Sequence, residues 1–367
     1  MLSIYGSILG GSFRSLFPQG FLVRLTTDPS GCNLLRNITM AKAKRLFKSF
    51  YRLLFPIVLL AVVAVGGASV WLVNEASQPR TSTYLVTPEK YGQLSSRGAQ
   101  VTEEKWTNSD GSPARGWLLR GAPGAPAVIL LHKFEDDRSH VLNLGVKLSE
   151  ATNFTVFMPD QRAHGENPAV KQSSFGGCEA DDVSAAINFL RGLKSPDQLP
   201  MVGKDIGIYG LELGALAALS TASSDPSVKA LVLDSIPADS DGMLAVAVEH
   251  RFPFASVVTS KFASLGTYGY YYNGCYKRVT SCEMAKTLAN RDVMLLGGVD
   301  EADLQESTSK LSKCFLPSST VDVKTDLSPS GYSIINASLE LSQAYDQRVI
   351  DYFRQSLGEV QIQVASN

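Results

Sequence analysis

Apolar and polar positions along the chain fall into three regimes. From Leu53 to Asn74 the run LLFPIVLLAVVAVGGASVWLVN carries neither a charge nor a polar stripe. At a rise of about 1.5 Å per residue, a helix of this length reaches across a hydrocarbon core about 30 Å thick. A core helix this long would keep a polar face, so the pattern predicts a transmembrane helix, with Pro56 in its first turn where a missing N–H costs little. A polar linker, 75–100, follows. From 101 to 357 β-rich apolar runs then alternate with helical patterns, the signature of an α/β domain with a mostly parallel sheet covered on both faces.

The expected strands of that sheet are Val101–Thr107, Gly116–Arg120, Ala127–His132, Thr155–Pro159, Ile206–Tyr209, Ala230–Asp234, Val293–Leu296 and Thr320–Lys324. The first two flank a turn cluster, Asn108-Ser-Asp-Gly111, and should form an antiparallel hairpin at the sheet edge. Helical patterns cover His140–Glu150, Glu179–Gly192, Leu213–Ser223 and Gln343–Ser356. Residues 239–290, Tyr-rich from Tyr268 to Tyr276, are too many for a simple crossover and read as a lid-like insertion.

Charge sets an expected topology. Lys42, Lys44, Arg45, Lys48 and Arg52 precede the span, with Arg80 and Lys90 after it, so the positive-inside rule places segment 1–52 in the cytoplasm and the large domain outside, in a single-pass protein of the cell membrane. A cleaved signal peptide, cut after Ala68 or Ala76, is the rival; the apolar stretch exceeds a normal signal-peptide core and favours an uncleaved signal anchor at 53–74. Residues 1–39 carry no sign of a structured module, and Met40 opens MAKAKRLFKSFYRLLF in the manner of a natural signal-anchor start. The expectation is that 1–39, and Cys32 with it, precede the true start. Cys178, Cys275, Cys282 and Cys314 would then face an oxidising compartment. Cys275 and Cys282, close in the chain, are the expected disulfide, against the alternative of four reduced thiols.

Composition narrows the function classes. With 367 residues, 44% hydrophobic and 19% charged, the chain is neither a disordered polymer nor a disulfide miniprotein, and a net charge of -1 offers no basic excess for nucleic acid. Neither GxGxxG nor a Walker pattern occurs, so no cofactor is expected, and no paired-ligand spacing points to a metal.

Four landmarks resemble the α/β-hydrolase fold superfamily, in particular its serine aminopeptidase and dipeptidyl-peptidase-like esterase group, in that group's order. They are Ala127-Val-Ile-Leu-Leu-His132, Pro159-Asp-Gln-Arg-Ala-His-Gly165, Gly207-Ile-Tyr-Gly-Leu-Glu-Leu-Gly-Ala215 and Leu231-Val-Leu-Asp-Ser235. The resemblance implies an eight-stranded sheet and a nucleophile elbow at Gly210-Leu-Glu-Leu-Gly214, where Gly210 and Gly214 relieve crowding and Glu212 stands in the serine position. It further implies that Asp300, in Leu296-Gly-Gly-Val-Asp300, holds the triad-acid position and that Tyr332, in the loop from Asp326, lies near the base position. Lys133, Phe134 and Leu213 fall in the oxyanion region.

The chain's histidines, His132, His140, His164 and His250, all precede Asp300. Replacing both nucleophile and base removes most of a triad's rate. The expected function is therefore a membrane-anchored, hydrolase-like pseudoenzyme that binds or scaffolds, with a small-molecule or peptide ligand in a lid-covered pocket. The alternative is an ester or peptide hydrolase built around Glu212 and helped by His132, His164 or Tyr332. The two histidines read more readily as loop-stabilising residues, and a metal held by Glu212, Asp300 and a histidine is weaker still.

Overall fold

The computed structural model describes residues 29–80, 83–166, 168–253, 256–272 and 274–358. Contacts divide the chain at Val62/Val63 into two units. Helix α1 (Pro29–Ala76) begins upstream of Met40, so 29–39 are helical where no structure was expected, while 1–28 lie outside the described residues. It holds one stretch long and apolar enough to cross a membrane, Phe47–Ala76, with mean hydropathy 2.5 and 6% of its most apolar window buried. A core helix would be mostly covered.

In the larger unit a short helix, α2 (Pro88–Tyr91), precedes a sheet whose strands are β1 (Thr102–Thr107), β2 (Pro113–Leu119), β3 (Ala125–Leu131), β4 (Thr155–Pro159), β5 (Val202–Leu211), β6 (Val228–Asp234), β7 (Asp292–Gly298) and β8 (Thr320–Leu327). Their order is β1-β2-β4-β3-β5-β6-β7-β8. The β1/β2 and β2/β4 pairs are antiparallel and all others parallel, with the expected hairpin at one edge. Central strands are apolar throughout because both faces are covered: Val128 to Leu131 and Leu231 to Leu233 are fully buried.

The covering helices are α3 (Leu142–Thr152), α4 (Gly177–Gly192), α5 (Leu213–Ser224), α9 (Ala302–Leu311) and α10 (Leu339–Leu357), and the insertion holds α6 (Ser240–Arg251), α7 (Ser256–Tyr270) and α8 (Ser281–Ala285). Its base is pinched where Ser281 N donates to Ala238 O at 2.7 Å.

Two expectations need correction. The segment expected as a linker is bound to the domain. Ala76 joins the core cluster, as do Leu72 and Val73 at the end of the expected span, the Tyr84 hydroxyl donates to Asp160 Oδ2 at 2.8 Å, and Leu85 N donates to Ser139 Oγ at 2.9 Å. Its Tyr and Val side chains supply apolar surface that offsets the entropy of ordering them. The disulfide expectation fails as well: Cys275 bonds Cys178 at the start of α4, and Cys282 in α8 bonds Cys314 after α9, each with Cα atoms 5.2 Å apart. Spatial neighbours across the insertion's return leg pair, rather than neighbours in the chain.

Candidate active site

The strand-to-helix turn after β5 is tight. Glu212 caps α5 with φ 52° and ψ -105°, left-handed backbone that a non-glycine residue adopts only under constraint. The flanking glycines allow it. A Cβ on Gly214 would lie 2.6 Å from Leu131 O, and one on Gly210 would collide with the Gly214 carbonyl. Glu212 N donates to Asp234 O at 2.9 Å, pinning the turn to β6.

The Glu212 side chain is wholly buried and folds back under the loop after β3. Its Oε2 accepts the Phe134 amide at 2.8 Å, the Leu213 amide adds to the pull on the carboxylate, and Oε1 has no hydrogen-bond partner among the described residues. In nucleophile-elbow enzymes those two donors, the amide after the central residue and one from the β3 loop, form the oxyanion hole. A serine is too short to fill it; glutamate is long enough to place its own anion there. Burial pushes the Glu212 carboxyl up to about 7, against the pull of the Lys133 charge and the amide donors.

Lys133 reaches over the same point. Its Nζ lies 4.6 Å from the Tyr332 ring centroid and 3.7 Å from Asp136 Oδ1. Tyr332 stands beside Glu212. Burial first and the Glu212 charge second hold its phenol far above the ordinary tyrosine range, so it is an O–H at neutral pH. Its hydroxyl lies 3.3 Å from His250 Nε2, and His250 Nδ1 is 3.9 Å from Glu135 Oε2. His250 precedes Asp300 in the chain, against the order expected of a triad base, and is brought in by the insertion: α6 folds back over the β8 loop. Chain order alone hid it.

Asp300 does not orient an imidazole. Its Oδ2 accepts the Ser330 hydroxyl at 3.0 Å and its Oδ1 the Ser330 amide at 3.3 Å, which fixes the turn carrying Tyr332. A second buried carboxylate, Asp234, was not anticipated. It accepts the Tyr345 hydroxyl at 2.5 Å, Ser235 Oγ at 2.8 Å and Gly331 N at 2.9 Å, and Tyr345 meets Tyr209 at 3.0 Å.

His132 and His164 serve the loops. His132 Nε2 accepts the Gln161 amide at 3.1 Å while Nδ1 faces Lys133 O at 2.8 Å; His164 Nε2 accepts the Glu135 amide at 3.1 Å while Nδ1 faces Arg162 O at 2.7 Å. Both ring nitrogens of each are used. Burial lowers their pKa values to about 4 and about 3, so both stay neutral and neither is free to shuttle a proton.

A cavity of about 610 Å³ reaches this centre, with Lys133, Asp136, His140, Tyr332, Tyr345 and Asp346 among its lining residues. The segment at Leu85 and Val86, α3, α10 and the loop after β8 wall it, and no described residue of 239–290 does. The cavity beside Tyr332 is therefore not the lid-covered pocket that the sequence suggested.

Together, the strand order, the elbow and the order of the loops define the α/β-hydrolase fold. No family model matches the chain. Among solved structures, an esterase, Pf2001, from Pyrococcus furiosus superposes with TM-score 0.55 at 21% identity, covering 77% of this chain and 100% of that one. The α/β hydrolase GrgF from Penicillium sp. sh18 gives 0.51 at 14% identity over 70% and 99%, and a carboxyl esterase from Bacillus coagulans gives 0.51 at 13% over the same shares. Among curated proteins the chain is similar to the thiohydrolase apmlB of Arthrinium phaeospermum, 31% identical over 127 residues, which is 34% of this chain and 39% of that protein. It is also similar to the thiohydrolase aneE of Aspergillus aculeatus, 24% identical over 133 residues, 36% and 40% of the two chains. The matches span about two-fifths of these relatives' lengths.

Proposed function

We propose that this chain is a membrane-anchored α/β-hydrolase-fold protein that binds a small molecule or peptide and does not perform serine-type acyl transfer, although its structural neighbours include esterases. One observation carries the reading: the Glu212 carboxylate accepts the Phe134 amide at 2.8 Å in the position where a reacting carbonyl oxygen would be stabilised. An acyl substrate would have to displace a buried anion and would meet no alkoxide. The anchor is the apolar part of α1, with the domain on the extracytoplasmic side. The burial of Leu72, Val73 and Ala76 in the domain core argues against cleavage after Ala76, which would remove them. The ligand would occupy the cavity beside Lys133 and Tyr332. The test is detergent-solubilised full-length protein with a fluorophosphonate probe, short acyl esters and acyl thioesters. Expected is no labelling and no turnover above a Glu212→Ala variant; either signal refutes the proposal.

A second reading is favoured by the contact between Tyr332 and His250 and by a Glu212 pKa near neutrality. In it, Glu212 is an acid–base group that exchanges a proton through the phenol with the imidazole. This reading requires a hydrolytic activity that Glu212→Gln abolishes without loss of folding.

A further inference from the structure

The insertion helix α7 presents an unusual outer face. Val257 is 72% exposed, Val258 58%, Phe262 40%, Leu265 55% and Tyr268 63%. These positions, with Lys261, fall on one side of the helix, opposite the buried Ala263, Gly266 and Thr267. From Ser256 to Tyr270 there is no acidic residue, and Lys261 is the single charge. A water-facing helix would carry several polar residues there.

What covers this face follows from where α7 sits. Gly266 is in direct backbone contact with α1, since a Cβ there would collide with the Ser69 carbonyl; a Cβ on Gly269 would lie 3.2 Å from the Val70 side chain. The Tyr270 hydroxyl donates to Asn74 Oδ1 at 3.0 Å, and the Phe252 ring, just before α7, lies 6.0 Å from that of Trp71. Close approach through small residues is how helices pack within a bilayer. α1 enters the domain core at Leu72 and Val73, so contact at Ser69 and Val70 lies where the exposed apolar run of α1 meets the domain. Amphipathic interfacial helices bury their apolar face to about 5–10 Å. At 15 residues α7 is about 22 Å long, too short to span. Trp71, 53% exposed beside it, has the character of an interfacial anchor, and the Lys261 stem can carry its amine out to the headgroups.

We infer that α7 is a membrane-embedded interfacial helix: its Val257, Val258, Phe262 and Leu265 face lies in the acyl region of the same leaflet from which α1 emerges, with Tyr268, whose ring carries the Arg278 guanidinium 3.8 Å from its centroid, at the headgroup level. The inference rests on the anchor reading above. It makes the insertion a part of the membrane attachment.

The test uses the unaltered full-length chain in phosphatidylcholine proteoliposomes doped with a phosphatidylcholine bearing a mid-chain diazirine. After irradiation, lipid adducts are mapped on peptides by mass spectrometry. Expected are adducts on the 53–70 stretch of α1 and on exposed α7 positions, and none on the exposed β1 edge at Glu103 and Lys105. Adducts on α1 with none on α7 overturn the inference and leave the anchor standing. Absence of adducts from both overturns the anchor reading and the inference with it. As a second readout, Val258→Asp combined with Leu265→Asp, both at exposed positions, should remove the α7 adducts while those on α1 persist; α7 labelling undiminished by two charges also overturns it.

Discussion

Replacing Glu212 by glutamine tests the buried carboxylate without changing its shape. Glutamine keeps an oxygen for the Phe134 amide and removes the charge. In the folded protein the Glu212 carboxyl is raised from 4.5 to about 7, by burial above all. Between those values the folded state holds a proton that the unfolded chain has released, so stability falls as pH rises through that window and is level above it. The difference converts to about 3 kcal/mol. Wild type and E212Q should therefore be nearly equal in stability at pH 4.5, and E212Q should be the more stable by about 3 kcal/mol at pH 8. The assay is denaturant unfolding of full-length protein in detergent, followed by tryptophan fluorescence at several pH values, with the difference between the two proteins plotted against pH. Groups remote from Glu212 cancel in that difference. A difference that is flat with pH, or that shrinks as pH rises, would refute the assignment of a buried, anionic carboxylate at the elbow.

Other expectations follow from the same geometry. Gly214→Ala should cost about 2–4 kcal/mol in an unfolding titration, because its Cβ would lie 2.6 Å from Leu131 O. Tyr345→Phe removes a 2.5 Å bond to the fully buried Asp234 and should destabilise by about 2–3 kcal/mol, with Tyr209→Phe costing less because its hydroxyl meets Tyr345 alone. Non-reducing peptide mapping should recover Cys178–Cys275 and Cys282–Cys314 and no Cys275–Cys282 species; replacing the first pair by serines should cost about 4 kcal/mol, more than the second, since it closes the longer loop.

The parts of this molecule legible in the sequence are those governed by local pattern. The β-rich runs gave the sheet because parallel strands buried on both faces cannot hide their apolarity, and the elbow was visible because crowding demands glycine at Gly210 and Gly214. The turn cluster before β2 placed the edge hairpin for a similar reason. What the sequence withheld depends on long-range contact. Nothing in the spacing of Cys178 from Cys275 signals a bond across 97 residues. His250 was discounted by its order in the chain, yet a helix that folds back ignores order. The filling of the amide hole by Glu212 follows from one extra reach of side chain, which the residue's identity suggests only once the turn is drawn.

The two crosslinks carry a consequence for biogenesis. Thiols seven positions apart, such as Cys275 and Cys282, meet far more often in an unfolded chain than those the native fold joins, because closing a short loop loses less chain entropy. Oxidation ahead of folding would therefore trap a hairpin between Cys275 and Cys282 that strands Cys178 and Cys314. Where the domain folds in an oxidising compartment, its yield in a host should rise with a disulfide isomerase rather than with oxidant alone.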